Sequence, residues 1–427
     1  MARSSSTPRS RILTRALGIS TVFALGVTLT ACSAGGSDGS GSDDSGSGTE
    51  ITLWQYYGDP DTPTGGPLYD FIDRFEASQD DITVDVRFIP FGDFNRTLLQ
   101  SAAAGDLPDV ALINAFDTAA MADAGVIEDL SERVDEWGEQ DAYFPTSWET
   151  TQVDGATYGI PHLADAYAVY YNKAMLGAAG LTPPTTWTEM EETAAALAVD
   201  GKSGLAVSGI EGAEGATGLV IRTLAEGGDL AEFDSPAGET ALNSFKTMSD
   251  SGAMSPGVLT WNEDDVKNQF ATGQAAMMIN SATYVSVLRE ENPELEWDVA
   301  LLPKGSEDQL TFLSAENLTI GEGSENADAA WDLITFMQQP EELATYLPER
   351  NKLPARDDVP DESEDPVRAT FAEQLQSAWA PEGDLAAVSN DVFTHVQRAL
   401  QASLSGSSST ADALKTAQTG IDEALAK

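Results

Sequence analysis

From residue 50 onward the apolar positions switch repeatedly between two periods. Ile51-Thr52-Leu53-Trp54 is a short β-type run that opens onto Tyr56-Tyr57-Gly58-Asp59-Pro60, an aromatic loop carrying Gly and Pro turn signals. Leu68, Phe71, Ile72 and Phe75 recur at helical spacing. Ile82, Val84 and Val86 alternate with Thr83, Asp85 and Arg87, which predicts a strand; residues 94–104 read as a helix and 109–113 as a buried strand. Strand–helix–strand–helix–strand is the order of a parallel α/β sheet. In such sheets ligands gather at loops beyond the carboxyl ends of the strands, here residues 54–59 and 114–117. The alternation returns later. Residues 168–171, 275–279 and 297–302 predict strands, and 188–198, 240–251 and 264–271 predict helices. Helices dominate after residue 326, including 327–337 and 393–404. No internal repeat is visible, and the pattern predicts two α/β lobes.

The first residues have a different character. Arg3, Arg9, Arg11 and Arg15 form a basic head before an apolar run over 16–31. That run is shorter than the ~20 residues a membrane-spanning helix needs and suits a secretory signal. It ends at Leu29-Thr30-Ala31-Cys32, and residues 33–48 are almost entirely Ser, Gly, Asp and Ala, a flexible tether.

Composition narrows the function. The 427 residues hold 70 Asp and Glu against 22 Lys and Arg, a net charge of −48. Such a polyanion argues against nucleic-acid binding and, through its overall field, against an anionic ligand. With 41% hydrophobic residues the chain can bury real cores, so it is not disordered throughout. One Cys excludes a disulfide framework, a Cys-based zinc site and an iron–sulfur cluster. His162 and His395 are the two histidines, which argues against a His-rich metal site. Neither a metal nor a cofactor is expected.

Leu29-Thr30-Ala31-Cys32 resembles the lipobox of bacterial lipoproteins, which implies cleavage before Cys32, acylation of that residue, and anchorage to the outer face of the cell membrane. The folded part resembles the extracellular solute-binding proteins of ABC importers, in the sugar-binding group that includes maltose-binding protein. Gly105-Asp106-Leu107-Pro108-Asp109-Val110 and Tyr158-Gly159-Ile160-Pro161-His162 carry the resemblance in the first part of the chain. Tyr170-Tyr171-Asn172-Lys173 continues it, followed by Ala179-Gly180-Leu181, Pro183-Pro184 and Thr186-Trp187. Phe270, Gly273-Gln274-Ala275-Ala276-Met277, Ile279-Asn280, Asn317-Leu318-Thr319-Ile320 and Ala330-Trp331-Asp332-Leu333-Ile334 complete it. The resemblance implies a two-lobed periplasmic-binding-protein-like fold of type II, each lobe a mostly parallel sheet flanked by helices. It places residues 50–164 and 297–340 in the N-terminal lobe and 165–296 and 341–427 in the C-terminal lobe, after a signal at 1–31 and a tether at 32–49. It also implies a monomer that closes on a neutral di- or oligosaccharide and docks on membrane permease subunits. Crossings between lobes are expected near Leu163, residues 293–296 and residues 339–343.

A sugar receptor needs aromatic platforms for C–H faces, flanked by carboxylates and amides for hydroxyls. Tyr56 and Tyr57 are candidate platforms, with core packing the competing role. Asn114 and Asp117 follow a buried strand where the family binds hydroxyls, although Asn and Asp also cap helices. The resemblance makes Asp165 a ligand carboxylate, the alternative being a solvent-facing acid. Asn280 and Tyr284 follow the 277–279 strand; Tyr284 stands one place past the family's usual aromatic. Trp261 is either platform or core. Where many members carry a Gly pair this chain has Ser314-Ala315-Glu316-Asn317, which could place Glu316 or Asn317 against the ligand. Two other functions compete. A secreted glycoside hydrolase would need two carboxyls ~5–10 Å apart across the bond, and nothing marks such a pair. A sugar-sensing lipoprotein coupled to a membrane receptor would share every feature.

Overall fold

The computed structural model describes residues 48–306, 309–360 and 363–426. Cys32, the signal and the tether lie outside the described residues. The strands are β1 (Thr49–Gln55), β2 (Ile82–Phe88), β3 (Val110–Asn114), β4 (Gln152–Val153), β5 (Ala156–Thr157) and β6 (Ile160–Asn172). They continue as β7 (Ser203–Ala206), β8 (Ala275–Ser281), β9 (Trp297–Ala300), β10 (Thr311–Ile320) and β11 (Ala378–Trp379). Strands β4 and β5 form a separate hairpin whose Asp154-Gly155 turn has φ of 52° and 82°, the mirror-image turn that matches strand twist.

Among the described residues the others join one nine-stranded sheet, ordered β2-β1-β3-β10-β6-β8-β7, with β9 paired to β6 and β11 to β10. The β2-β1-β3 group is parallel, as is β7-β8. Strand β10 runs antiparallel to its neighbours β3 and β6, and β6 antiparallel to β8, so the sheet is mixed. The reason is topological: the chain leaves one half of the molecule along β6 and returns along β10, so these two strands point opposite ways.

Each half is a sheet covered by helices on both faces, which is why its central strands read as unbroken apolar runs. In the first half Ile51, Leu53 and Leu112 pack with Phe71, Leu333 and Tyr346, while Trp54 and Ile113 pack with Phe94 and Leu98 on the other face. In the second half Val169, Leu205 and Met277 pack with Trp187, Phe245 and Val396; Ala168, Tyr170 and Met278 pack with Phe270, Val285 and Phe371. Between the halves the packing is thin. Ala115, Ala164, Ala315 and Ala380 gather there around Leu313.

Two expected crossings are corrected. Strand β9 pairs with Val169–Asn172 of β6 in the second half, so residue 297 does not begin the return. The return is made within β10, which pairs with β11 at Thr311 and Phe312 and with β3 from Glu316 onward. The helix Pro340–Glu349 packs Leu343, Tyr346 and Leu347 into the first-half core, not the second. The third passage follows it, where Leu353 pairs with Ala164 of β6. Asn351 starts that passage with φ of 52°, the left-handed region that Asn tolerates better than most residues. No helix among the described residues is long and apolar enough to cross a membrane.

Candidate functional site

The loops that follow β1 and β3 in the first half face those that follow β7 and β8 in the second. After β1, the Gln55 side chain shapes the aromatic loop: its Oε1 accepts from Tyr57 N at 2.5 Å and its Nε2 donates to Gly58 O at 2.8 Å. Gly58 has φ of 129°, and a Cβ there would meet Thr62 Oγ1 at 2.5 Å. This turn sends Tyr56 and Tyr57 to different places. Tyr57 is buried in the first-half core with the Arg350 guanidinium 3.3 Å from its ring centroid. Tyr56 is half-buried, held edge-on by Phe91 and Phe94. Its hydroxyl has no hydrogen-bond partner, and burial, then Glu316 and Asp117, raise its pKa well above the tyrosine range. Tyr56 is therefore the more exposed of the two, while the Tyr57 ring is sealed in the core, its hydroxyl likewise without a hydrogen-bond partner.

After β3, Asn114 accepts from Phe116 N at 3.0 Å and caps the following turn, the competing role it shared with Asp117. Asp117 does something else. It is 5% exposed, burial raises its pKa, and hydrogen bonds from Asn95 and Asn390 oppose the rise. Asn390 lies on the helix Ser389–Leu404 of the second half, where the neighbouring Ser389 hydroxyl donates to Phe116 O at 3.2 Å. The two halves thus touch directly across the cleft. Between Phe116, Glu149, Thr150, Pro381 and Ala386 the remaining recess is about 10 Å³. A larger recess of about 280 Å³, at Thr49 and Ser324–Ala329, lies at the opposite end of β1.

Asp165 is corrected from ligand carboxylate to internal tie. It is fully buried and ion-paired with Lys352, whose ammonium also donates to Thr283 Oγ1 at 2.7 Å. The same carboxylate accepts from Ala166 N at 2.7 Å and Ala282 N at 3.0 Å. With Thr283 Oγ1 at 3.4 Å as a fourth donor, little capacity is left for a ligand. Asn280 is likewise internal, spanning Ser281 N and Glu263 O, and Asn317 binds Thr118 and Thr150 on the far face of β10. Between Glu316 and Asn317 the register of β10 with β6 shifts, so the two neighbours have separate surroundings. Glu316 is 6% exposed, its Oε2 has no hydrogen-bond partner, and it lies beside Tyr56.

The second half contributes residues that the sequence pattern did not single out. Tyr167 on β6 donates to Glu263 Oε1 at 2.6 Å, and Glu263 N donates to Glu214 Oε1 at 2.7 Å. Burial, with the Glu214 charge adding to it, pushes the Glu263 carboxyl up to about 8. Glu263 opens the helix Glu263–Ala271, started by an Asn262–Asp265 capping box. That box, legible as Asn-x-x-Asp, was the available signal for this position. Trp261 lies against both second-half cores over Gly257, whose missing Cβ makes room for the ring. Tyr284 is buried in one of those cores beside Glu263 and Asp264. The candidate site therefore comprises Tyr56, Asp117 and Glu316 of one half with Tyr167, Glu214, Glu263 and Trp261 of the other.

A family model described as bacterial extracellular solute-binding protein matches residues 59–344. The chain belongs to that family. Among its solute-binding relatives, the galactooligosaccharide-binding protein of Bacillus subtilis is 23% identical over 422 residues, covering 95% of this chain and 96% of that one. A binding protein of Brucella abortus is 27% identical over 301 residues, 68% of this chain and 72% of its own length. The structure of an ABC transporter solute-binding protein of Thermotoga lettingae, bound with α-D-tagatose, superposes with a TM-score of 0.79 at 25% identity. It covers 88% of this chain and 99% of that one. The two-lobed maltose-binding-protein-like fold of these neighbours is the fold described above. Family and neighbours are binding proteins rather than enzymes.

Proposed function

We propose that this solute-binding protein captures a carbohydrate between its two lobes and delivers it to the permease of an ABC importer. The direct cross-cleft contact of Asp117 with Asn390 carries the reading. It marks a closed state in which polar side chains of the two halves come together. Such groups accept from and donate to sugar hydroxyls, and the half-buried Tyr56 and Trp261 offer C–H-facing surface. Relatives named for galactooligosaccharide and bound with tagatose support a sugar as the ligand.

In this reading the first lobe is residues 49–163 with the stretch from Glu316 to about residue 356, and the second is the rest. Closure bends β6 and β10 at their small residues. The ligand's higher affinity for the closed form shifts the balance. No bond is broken, so no side chain acts as a catalyst. The mature chain is a monomer, tethered to the outer face of the membrane through acylated Cys32.

The test is a thermal-shift and titration screen of mature protein against mono- and oligosaccharides. A sugar at 100 times its Kd stabilises a folded-state binder by about 2.7 kcal/mol. The sugar is expected to be recovered intact; shorter products would favour a hydrolase, and absence of a shift with every sugar would overturn the reading. Cys32→Ser should release the protein from the membrane fraction.

A further inference from the structure

Around the cleft, carboxylates outnumber the cations that face them. Asp117 and Glu316 come from the first lobe, and Glu214, Glu263 and Asp264 from the second. The cations within reach are Lys352 and Arg350, and both are engaged. Lys352 is paired with Asp165. Arg350 lies on the Tyr57 ring and donates to the Tyr346 hydroxyl at 3.3 Å.

Glu316 is the decisive group. It is 6% exposed, its Oε2 has no hydrogen-bond partner, and the Tyr56 hydroxyl beside it has none either. Its charged surroundings are Lys352, Arg350 and Asp165; the two cations offset only part of the rise that burial imposes on its pKa. Glu263 is set among Glu214, Tyr167, Lys352 and Asp165 and is also raised.

A neutral hydroxyl can donate a hydrogen bond to such a carboxylate but leaves the buried charge uncompensated. An ammonium does both, through a charge-assisted bond. A metal ion would need several converging donors, and among the described residues no three His, Cys, Asp or Glu side chains are so placed.

We propose that the cleft selects a saccharide bearing a protonated amine, an amino sugar, with its ammonium against Glu316 and on the side of Asp117. This rests on the carbohydrate reading and sharpens it. The acidic excess of the sequence argues against anions and for a neutral solute; a buried carboxylate oxygen without a hydrogen-bond partner at the cleft favours a cation instead. Ring hydroxyls are then left for Asp117 and Glu263, and the edge of Trp261 for the apolar face.

The experiment compares twins that differ only by a hydroxyl replaced with an amine. Glucose and glucosamine, galactose and galactosamine, and cello-oligosaccharides with fully de-N-acetylated chito-oligosaccharides make such pairs. Spermidine serves as an amine without a ring, and binding is measured by thermal shift and titration at about 0.15 M and about 0.5 M salt to remove long-range attraction. The amine member of at least one pair is expected to bind at least about tenfold tighter than its twin at both salts. Glu316→Gln should abolish that preference, bringing the amine twin down to the affinity the same variant shows for its hydroxyl twin. Asp117→Asn, which retains an acceptor for Asn390, should reduce it and covers the case in which the first variant does not fold. Twins that bind equally, or a hydroxyl twin that binds better, would overturn the amine inference and leave the carbohydrate reading standing. A spermidine shift equal to that of the amino sugar and lost at high salt would also overturn it. No response to any saccharide would remove both.

Discussion

Asp165 illustrates how a residue's surroundings decide its role. A carboxylate midway along a crossing strand is exposed in one context and a ligand contact in another; here it is sealed against Lys352, Ala166 N, Ala282 N and Thr283. Removing one partner of a buried ion pair leaves an uncompensated charge, at a cost of about 3–5 kcal/mol. Lys352→Met should lower the denaturation midpoint by that amount, and the Asp165→Asn/Lys352→Met double variant should recover most of it. Equal loss in single and double variants would show that packing, not charge, dominates. Glu263 gives a second prediction. Its folded-state pKa, raised to about 8, exceeds the ordinary carboxyl value of 4.5, so between those pH values the folded state holds a proton that the unfolded chain has released. The stability associated with that proton is therefore full in acid and is lost as pH rises towards about 8. Glu263→Gln should leave stability nearly unchanged at the acid end and become relatively stabilising towards the alkaline end, read from denaturation midpoints across the range.

At the scale of elements, helix starts place much of the chemistry. Glu263 is the first residue of its helix and is oriented by the Asn262–Asp265 box, in which Asn262 Oδ1 accepts from Asp265 N at 2.8 Å. Asn262→Ala should cost about 0.5–2 kcal/mol of stability and should also weaken saccharide binding, because Glu263 and Trp261 flank the cap. A loss of stability with unchanged affinity would separate the cap from the site. The long strands show the converse. The sequence pattern predicts a strand at 168–171, yet β6 runs from Ile160 to Asn172. Its Ile160-Pro161-His162 start is not a simple alternation, since it is buried on both sides: His162 lies between Phe71 and Tyr346 and is bonded by Gln338 at 3.1 Å.

For the whole molecule, the question is what holds the lobes together. The Asn390–Asp117 bond and the Ser389–Phe116 bond join helix and loop across the cleft, against thin alanine packing at the crossings. Hydrogen bonds to charged groups contribute about 1.5–3 kcal/mol. Asn390→Ala should therefore lower saccharide affinity by about tenfold or more, with little change in unfolding midpoint and a larger ligand-free radius of gyration by solution scattering. Unchanged affinity and radius would show that this contact does not hold closure.

Periodicity was enough to read the α/β class, the order of β1 to β3, and helices such as Ala327–Met337, because each depends on neighbours within a few residues. The family motifs added the late strand β10, and the loops after β1 and β3 were legible as site loops because strand ends are local features. Which side chains of those loops meet a ligand was not legible. Tyr56 and Tyr57 are adjacent and alike, and only the Gln55–Gly58 turn separates cleft from core. Glu316 and Asn317 are adjacent too, and the face of β10 on which each lies depends on its register with β3 and on a bulge between them. Lys352 lies 187 residues from its partner Asp165, and Asn390 lies 273 from Asp117. Composition and local pattern by themselves determined many of the elements and the acidic character, and the motifs carried the resemblance to the family. Burial, and hence which carboxylates are tied and which are left open, was decided only by the tertiary structure, since charge pairing and desolvation act between groups that the chain brings together from far apart.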